Sequence, residues 1–234
     1  VANSFNTSFG EANKTEFDAG GLGFGQHVTN LDFQRDLGVT FVKQLSLALG
    51  AEYRRENFDI VAGELQSYAG GPFVAFGAPA GAQVFPGFRP ENEVNAKRNS
   101  KAVYAELDAD ISDMLTAQVA GRFEDYSDFG STFNWKLAGR FAPIDWGALR
   151  GSISTGFRAP SLHQQFYATN STNNVNGVLL EIGTFPVSHP VALALGSKPL
   201  EPEKSLNWGV GATLTPGNFN LTIDYYNVSI DNRI

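Results

Sequence analysis

Three carboxylates spaced by two, Glu106, Asp108 and Asp110, stand in KAVYAELDADI, and carboxylate clusters are what general acid–base chemistry uses. In an extended chain successive side chains alternate sides, so all three share one face of a strand. There they read better as polar positions opposite cations of the next strands, where each opposite-charge pair stabilises by roughly 0.2–1 kcal/mol. Other chemistry is thinly supplied. His27, His163 and His189 lie far apart in sequence, and the absence of cysteine removes thiol nucleophiles, zinc knuckles and disulfides. Gly20 to Gly25 reads GGLGFG but lacks the GxGxxG spacing and the following helix that a phosphate loop needs. A net charge of −7 and a pI near 5.0 argue against nucleic acid as a partner. The chain is read as no enzyme, and no cofactor or metal is expected.

The carboxylates sit in the first of four amphipathic strands between Lys101 and Arg158. Val103, Ala105, Leu107, Ala109 and Ile111 oppose Tyr104, Glu106, Asp108 and Asp110. Leu115, Ala117, Val119, Gly121 and Phe123 oppose Thr116, Gln118, Arg122 and Glu124. FNWKLAGRF and LRGSISTGFR repeat the pattern, with Phe133, Trp135, Leu137, Phe141, Leu149, Ile153 and Phe157 on the apolar side. The links between them are short and built from Ser, Asp, Gly and Pro, so neighbours run antiparallel in a meander. Outside this block, strands are predicted over Ala2–Phe9, His27–Phe41, Gln44–Glu56, Ser205–Leu214 and Phe219–Ile230, nine strands in all. The run VALALG is expected to make a short helix.

Two long segments interrupt the strands, Asn57–Asn99 and Ala159–Glu203. The first mixes glycine and proline with Tyr68, Phe73, Phe76, Phe85 and Phe88, followed by Arg89. These residues either form a contact surface for a ligand or pack the loop on itself. Numbered in order, the links alternate between long or medium and short, so the long ones emerge on one side. That is the habit of a transmembrane β-barrel, with its apolar face to lipid and its polar face to a lumen. No apolar run of about 18 residues provides a membrane helix, which says nothing against a barrel. Trp135, Trp146, Trp208, Phe141, Tyr225 and Phe123 would form an aromatic girdle near strand ends on the lipid side. The competing architecture is a soluble all-β sandwich, such as a carbohydrate-binding module with long loops.

At GFRAPSLHQ (Gly156 to Gln164) the sequence resembles TonB-dependent outer-membrane receptors. LALGAEYRRE, AGRFEDYSDFGST, LRGSISTGFRAPSL and LEPEKSLNWGVG are similar to the barrel strands of that family, in the expected order. The resemblance covers nearly the whole chain. It implies an all-β, antiparallel up-and-down meander, residues 1–234 being a segment of a 22-stranded transmembrane barrel in the outer membrane of a Gram-negative cell. It further implies energised uptake of a scarce ligand, a siderophore–iron complex or an oligosaccharide. The implied partners are TonB, a plug domain of the same parent protein, and the lipid bilayer. The plug, the TonB box and enough strands to close a barrel are missing from these residues, so the expectation is a middle section of a wall, with residues 57–99 and 159–203 as external loops. Arg158 tops a strand on the lumenal side, where it would meet a ligand or a plug carboxylate. His163, Gln164, Gln165, Phe166 and Tyr167 begin the second long loop, and their polar–aromatic mix suits sugar stacking and iron-chelate binding alike. With Phe73, Phe88 and Arg89, they are the candidate ligand contacts.

Overall fold

The computed structural model describes residues 2–83 and 85–234. The chain divides into two compact units. One, the loop unit, comprises Val1–Gln26, Glu56–Arg98 and Ser161–Leu200; the other, the sheet unit, comprises His27–Arg55, Asn99–Pro160 and Glu201–Ile234. Twelve strands are described: β1 (Ala2–Asn3), β2 (Glu16–Phe17), β3 (Gly21–Leu37), β4 (Gln44–Val61), β5 (Val94–Asp110), β6 (Leu115–Tyr126), β7 (Gly130–Ile144), β8 (Gly147–Arg158), β9 (Thr169–Val175), β10 (Val178–Thr184), β11 (Glu203–Leu214) and β12 (Leu221–Asp231). Eight of them form one open sheet in the order β12-β11-β8-β7-β6-β5-β4-β3, with antiparallel ladders from β12 through β11, β8, β7 and β6 to β5. The others make two separate two-stranded ribbons, β1 with β2 and β9 with β10.

The register aligns the alternation of neighbouring strands row by row. Leu107, Val119, Leu137, Ile153 and Trp208 lie across from one another on β5, β6, β7, β8 and β11. All five are between 37 and 47 % exposed. Ile111, Leu115, Phe141, Leu149 and Ile223 extend this exposed apolar face toward the short turns, and Val103, Phe123 and Phe133 extend it the other way. A sheet in water would hide such a face, because removing apolar surface from water is the dominant favourable term in folding. This one leaves it uncovered over eight residues of β5, about 26 Å of strand.

Aromatic residues cross that face on a slope. Phe123 is level with Val103, Trp135 with Ala105, Trp208 with Leu107 and Tyr225 with Ala109, and the Trp208 and Tyr225 rings lie 5.5 Å apart. The line descends about 1.5 residues per strand, which corresponds to strands tilted by roughly 45° if the line marks one depth. Trp135, Trp208 and Tyr225 therefore lie inside their strands, away from the ends where girdle residues were expected.

Several expected boundaries shift. Ala2–Phe9 makes only the two-residue β1 before a 3-10 helix at Thr7–Ala12. The cause is Asn6, fully buried, whose side-chain amide donates to the carbonyls of Gln66 (2.8 Å) and Ala69 (2.9 Å) and caps the helix. The strand expected over His27–Phe41 starts earlier and ends earlier: Gly21 opens β3, and Val39 and Phe41 fall in the link after it. The Asn/Thr run ATNSTNNVN contains β9, paired with β10 through Thr169↔Thr184 to Val175↔Val178. VALALG does carry a helical turn, Pro190–Ala194. No helix is long and apolar enough to cross a membrane, which leaves a β-barrel untouched.

The loop unit has a core of its own. Phe58, Ile60, Phe88, Ala96 and Leu162 are buried together, with Val94, Phe166 and Tyr167 packed against them. Beside it Arg98 donates to Glu56 through Nε (2.8 Å) and Nη2 (2.5 Å), a buried ion pair between β5 and β4.

Candidate functional site

The polar face of the sheet unit carries its charge in connected groups. The carboxylates of β5 have neutral donors for partners. Gln118 Nε2 donates to Glu106 Oε1 at 3.0 Å and to Asp108 Oδ2 at 3.1 Å, and the Thr116 hydroxyl donates to Asp110 at 2.9 Å. The expected cations of the next strand are occupied elsewhere. Arg122 is paired with Glu124 and, at 3.1 Å, with Glu52, and its guanidinium stands 5.7 Å from the centre of the Tyr104 ring. The Tyr104 hydroxyl in turn donates to Asp32. This network borders a concave region of about 570 Å³ lined by Asn30, Asp32, Glu52, Tyr104, Arg122 and Lys136 among others. Further along, Arg150 on β8 reaches over β11 to Asp224 on β12, with Nε to Oδ1 at 2.9 Å and Nη2 to Oδ2 at 2.5 Å. The strand between them places Gly211 at the crossing, where a Cβ would collide with the carboxylate.

Arg158, at the end of β8, forms a two-pronged ion pair with Glu203, which opens β11 directly across from it. The Ile234 N–H also donates to Glu203, at 3.0 Å. Arg158 is thus held by the sheet itself.

The other candidate ligand contacts lie in the loop unit. Ser161 and Gln164 form a reciprocal cap (Gln164 N to Ser161 Oγ 3.1 Å, Ser161 N to Gln164 Oε1 3.0 Å) that starts a helix over Leu162–Phe166. The cap buries Leu162 and turns His163 toward Phe58, edge to face at 5.4 Å, and toward Tyr167 at 4.8 Å. Tyr167 meets the buried Phe88 at 6.3 Å, and Phe166 packs on the same core. The structure therefore gathers His163, Phe166, Tyr167 and Phe88, with Gln165 half-buried on the same helix. Arg89 is engaged by Glu181 of β10 (2.8 and 3.3 Å), whose hydrogen bond pushes the guanidinium further above its ordinary value. Phe73 stands half-exposed beside Phe76, with its ring against Gly10, and does not join the cluster. No group of His, Asp and Glu among the described residues is arranged to hold a metal ion.

Sequence reasoning missed Glu181 and Glu203 as the partners of the two candidate arginines. Glu203 had a signal, since it opens the PEKS strand as Arg158 closes GFR. The pairing of β8 with β11 is what makes them neighbours.

The family model described as TonB dependent receptor-like, beta-barrel matches residues 2–234. The vitamin B12 transporter BtuB of Vibrio vulnificus (strain YJ016) is 26 % identical over 141 residues, 57 % of this chain and 23 % of that protein. The siderophore receptor PirA of Pseudomonas aeruginosa superposes with a TM-score of 0.63 at 16 % identity, over 90 % of this chain and 33 % of PirA. A variant of the ferric enterobactin receptor PfeA of the same organism, in complex with enterobactin, gives 0.61 at 14 % identity, over 89 % of this chain and 27 % of PfeA. The chain thus spans about a quarter to a third of the length of these relatives, and the two structural likenesses concern the fold alone. With the exposed apolar rows, the tight turns and the family match in agreement, the chain belongs to the TonB-dependent receptors and is a section of their Gram-negative outer-membrane β-barrel.

Proposed function

We propose that this chain is part of the wall of a receptor that takes up a scarce ligand across the outer membrane, with energy delivered through TonB. The observation that carries the reading is the sheet's inversion. Its apolar rows are exposed on one face while carboxylates, arginines and amides are bonded to one another on the other. A carbohydrate-binding sandwich in water would have those apolar rows covered.

In this reading residues 57–99 and 159–203 are external loops, and a plug domain of the same parent fills the lumen. The ligand, a siderophore–iron complex or an oligosaccharide, meets the loop cluster of His163, Gln165, Phe166, Tyr167 and Phe88. Arg89 and Phe73 serve at its margins, and Arg158 is a separate candidate contact in the sheet unit. The test is growth of cells carrying or lacking the full-length parent, with ferric siderophore as the sole iron source or oligosaccharide as the sole carbon source. Growth on one of the two should require both the receptor and TonB. Equal growth without TonB on both would contradict the reading.

A further inference from the structure

β7 and β8 are paired over only part of their length. Their ladder runs from Ile144↔Gly147, across an irregularity between Phe141 and Ile144, up to Lys136↔Ser154. Beyond that point β7 continues its pairing with β6 as far as Gly130↔Tyr126, and β8 continues with β11 as far as Arg158↔Glu203. The two strands part, and the Trp135 N–H donates to the Thr155 hydroxyl (3.1 Å) instead of a backbone carbonyl. Between them lies a cleft of about 440 Å³. Phe129, Phe133 and Phe157 line it, together with Ser131, Thr155 and Lys204. The Phe129 and Phe157 rings stand 5.7 Å apart.

By strand alternation Ser131, Phe133, Thr155, Phe157 and Lys204 belong to the same face as Leu137, Ile153 and Trp208, the face exposed in apolar rows. The cleft runs through the sheet, since Thr132, Asn134, Gly156 and Ser205 of the opposite face line it as well and Phe129 and Phe157 also pack on Tyr126 of that face. Its outward mouth, at Ser131, Phe133 and Lys204, opens on the lipid-facing surface on the loop side of the aromatic line. Unpaired backbone is costly in contact with hydrocarbon, so an opening there needs an occupant that brings polar atoms with it. Lys204 lies opposite Phe157, is exposed, and makes no ion pair among the described residues; Asp231 is its neighbour on β12.

We propose that this cleft holds a phosphate-bearing lipid of the membrane's outer leaflet. Its acyl chain lies against Phe129, Phe133 and Phe157, and its phosphate sits at the Lys204 ammonium beside the Ser131 and Thr155 hydroxyls. The site depends on which face of the sheet meets lipid and is independent of the ligand taken up.

Native mass spectrometry of the full-length receptor, delipidated and titrated with defined lipids, tests it. The wild type should retain dioleoylphosphatidylglycerol more tightly than dioleoylglycerol, which has the same chains without the phosphate. Lys204→Gln should weaken the phospholipid about fivefold and leave dioleoylglycerol unchanged. Phe133→Ser, at an exposed position, should weaken both. Heat-modifiable gel migration confirms that each variant is folded. Equal retention of the two lipids, or an unchanged phospholipid affinity in Lys204→Gln, overturns the phosphate site. Unchanged binding in Phe133→Ser overturns the acyl-chain site. Displacement of the phospholipid by inorganic phosphate alone would make the cleft a free-anion site and also overturn the proposal. None of these outcomes depends on uptake, so they are distinguishable from failure of the receptor reading.

Discussion

In the loop unit Phe58, Ile60, Phe88 and Leu162 are at most 3 % exposed, whereas in the sheet unit Val103, Phe133, Leu149 and Val210 are at least 55 % exposed. The same residue types are treated in opposite ways within one chain. Among the described hydrophobic residues that are buried, only Ala102 and Tyr126 belong to the sheet unit. The loop unit is assembled as a domain in water is, by withdrawing apolar side chains into a core. The sheet unit is assembled as lipid requires: backbone groups are satisfied along the ladders, the apolar face is left outward, and the polar groups are bonded to each other inside. The buried phenylalanines, Phe17, Phe58 and Phe88, all belong to the loop unit, although Phe24, Phe73 and Phe76 of that unit stay exposed.

The contrast breaks first at Phe58. Phe58→Ala should cost the loop unit about 3–5 kcal/mol of local stability through the cavity it leaves. Limited proteolysis of the full receptor should then cut residues 57–99 and 159–203 much faster while the sheet stays resistant. Equal sensitivity in both regions would mean that the two are not separately stabilised.

The next test sharpens the other side. Val119→Arg places a charge on the outward face near mid-strand and should destabilise by about 2–4 kcal/mol in reversible unfolding from lipid. Gln118→Arg, one residue away on the face of Glu106 and Asp108, should cost far less. Similar costs would dissolve the distinction between the faces.

The smallest effect concerns acid. Lys14 donates to Glu64 at 2.6 Å and the Asp18 N–H donates to it at 3.2 Å; the Lys14 bond above all holds the Glu64 carboxyl below its ordinary value. A depressed carboxylate contributes stability that is present above its unfolded value and is lost as pH falls through the folded one. Exchange protection of the Asp18 amide, corrected for intrinsic rate, should therefore fall modestly on acidification toward about pH 3, with the ladders of the sheet unit unchanged. Protection that rose on acidification would reverse the assigned sign.

The sheet was legible because period-two alternation writes both faces into the sequence, and from Lys101 to Arg158 the four predicted strands are observed, with β7 reaching past FNWKLAGRF to Gly130 and Ile144. The loop unit was not, because its organisation depends on partners far along the chain. Asn6 reads as an ordinary polar residue until its carbonyl partners 60 and 63 residues away are known. The Asn/Thr run of β9 has no alternation to reveal it, and its strand exists through pairing with β10. GGLGFG shows the same alternation on a small scale. From Gly21 its glycines fall at every second position (Gly21, Gly23, Gly25), the phase of a strand, with Leu22 and Phe24 exposed on the other side. Of the candidate site, the cluster at His163 and Tyr167 was visible as composition, but its packing on Phe58 and Phe88 was not.

The central claim is that the odd-numbered face of β6 meets lipid. Single nitroxide labels at 116, 117, 118, 119, 122 and 123 in the full receptor, reconstituted in bilayers, test it directly through collision with oxygen and with a water-soluble nickel chelate. Positions 117, 119 and 123 should show high oxygen and low nickel accessibility, and positions 116, 118 and 122 should lack that oxygen preference. A reversed phase, or no alternation at all, would contradict the account.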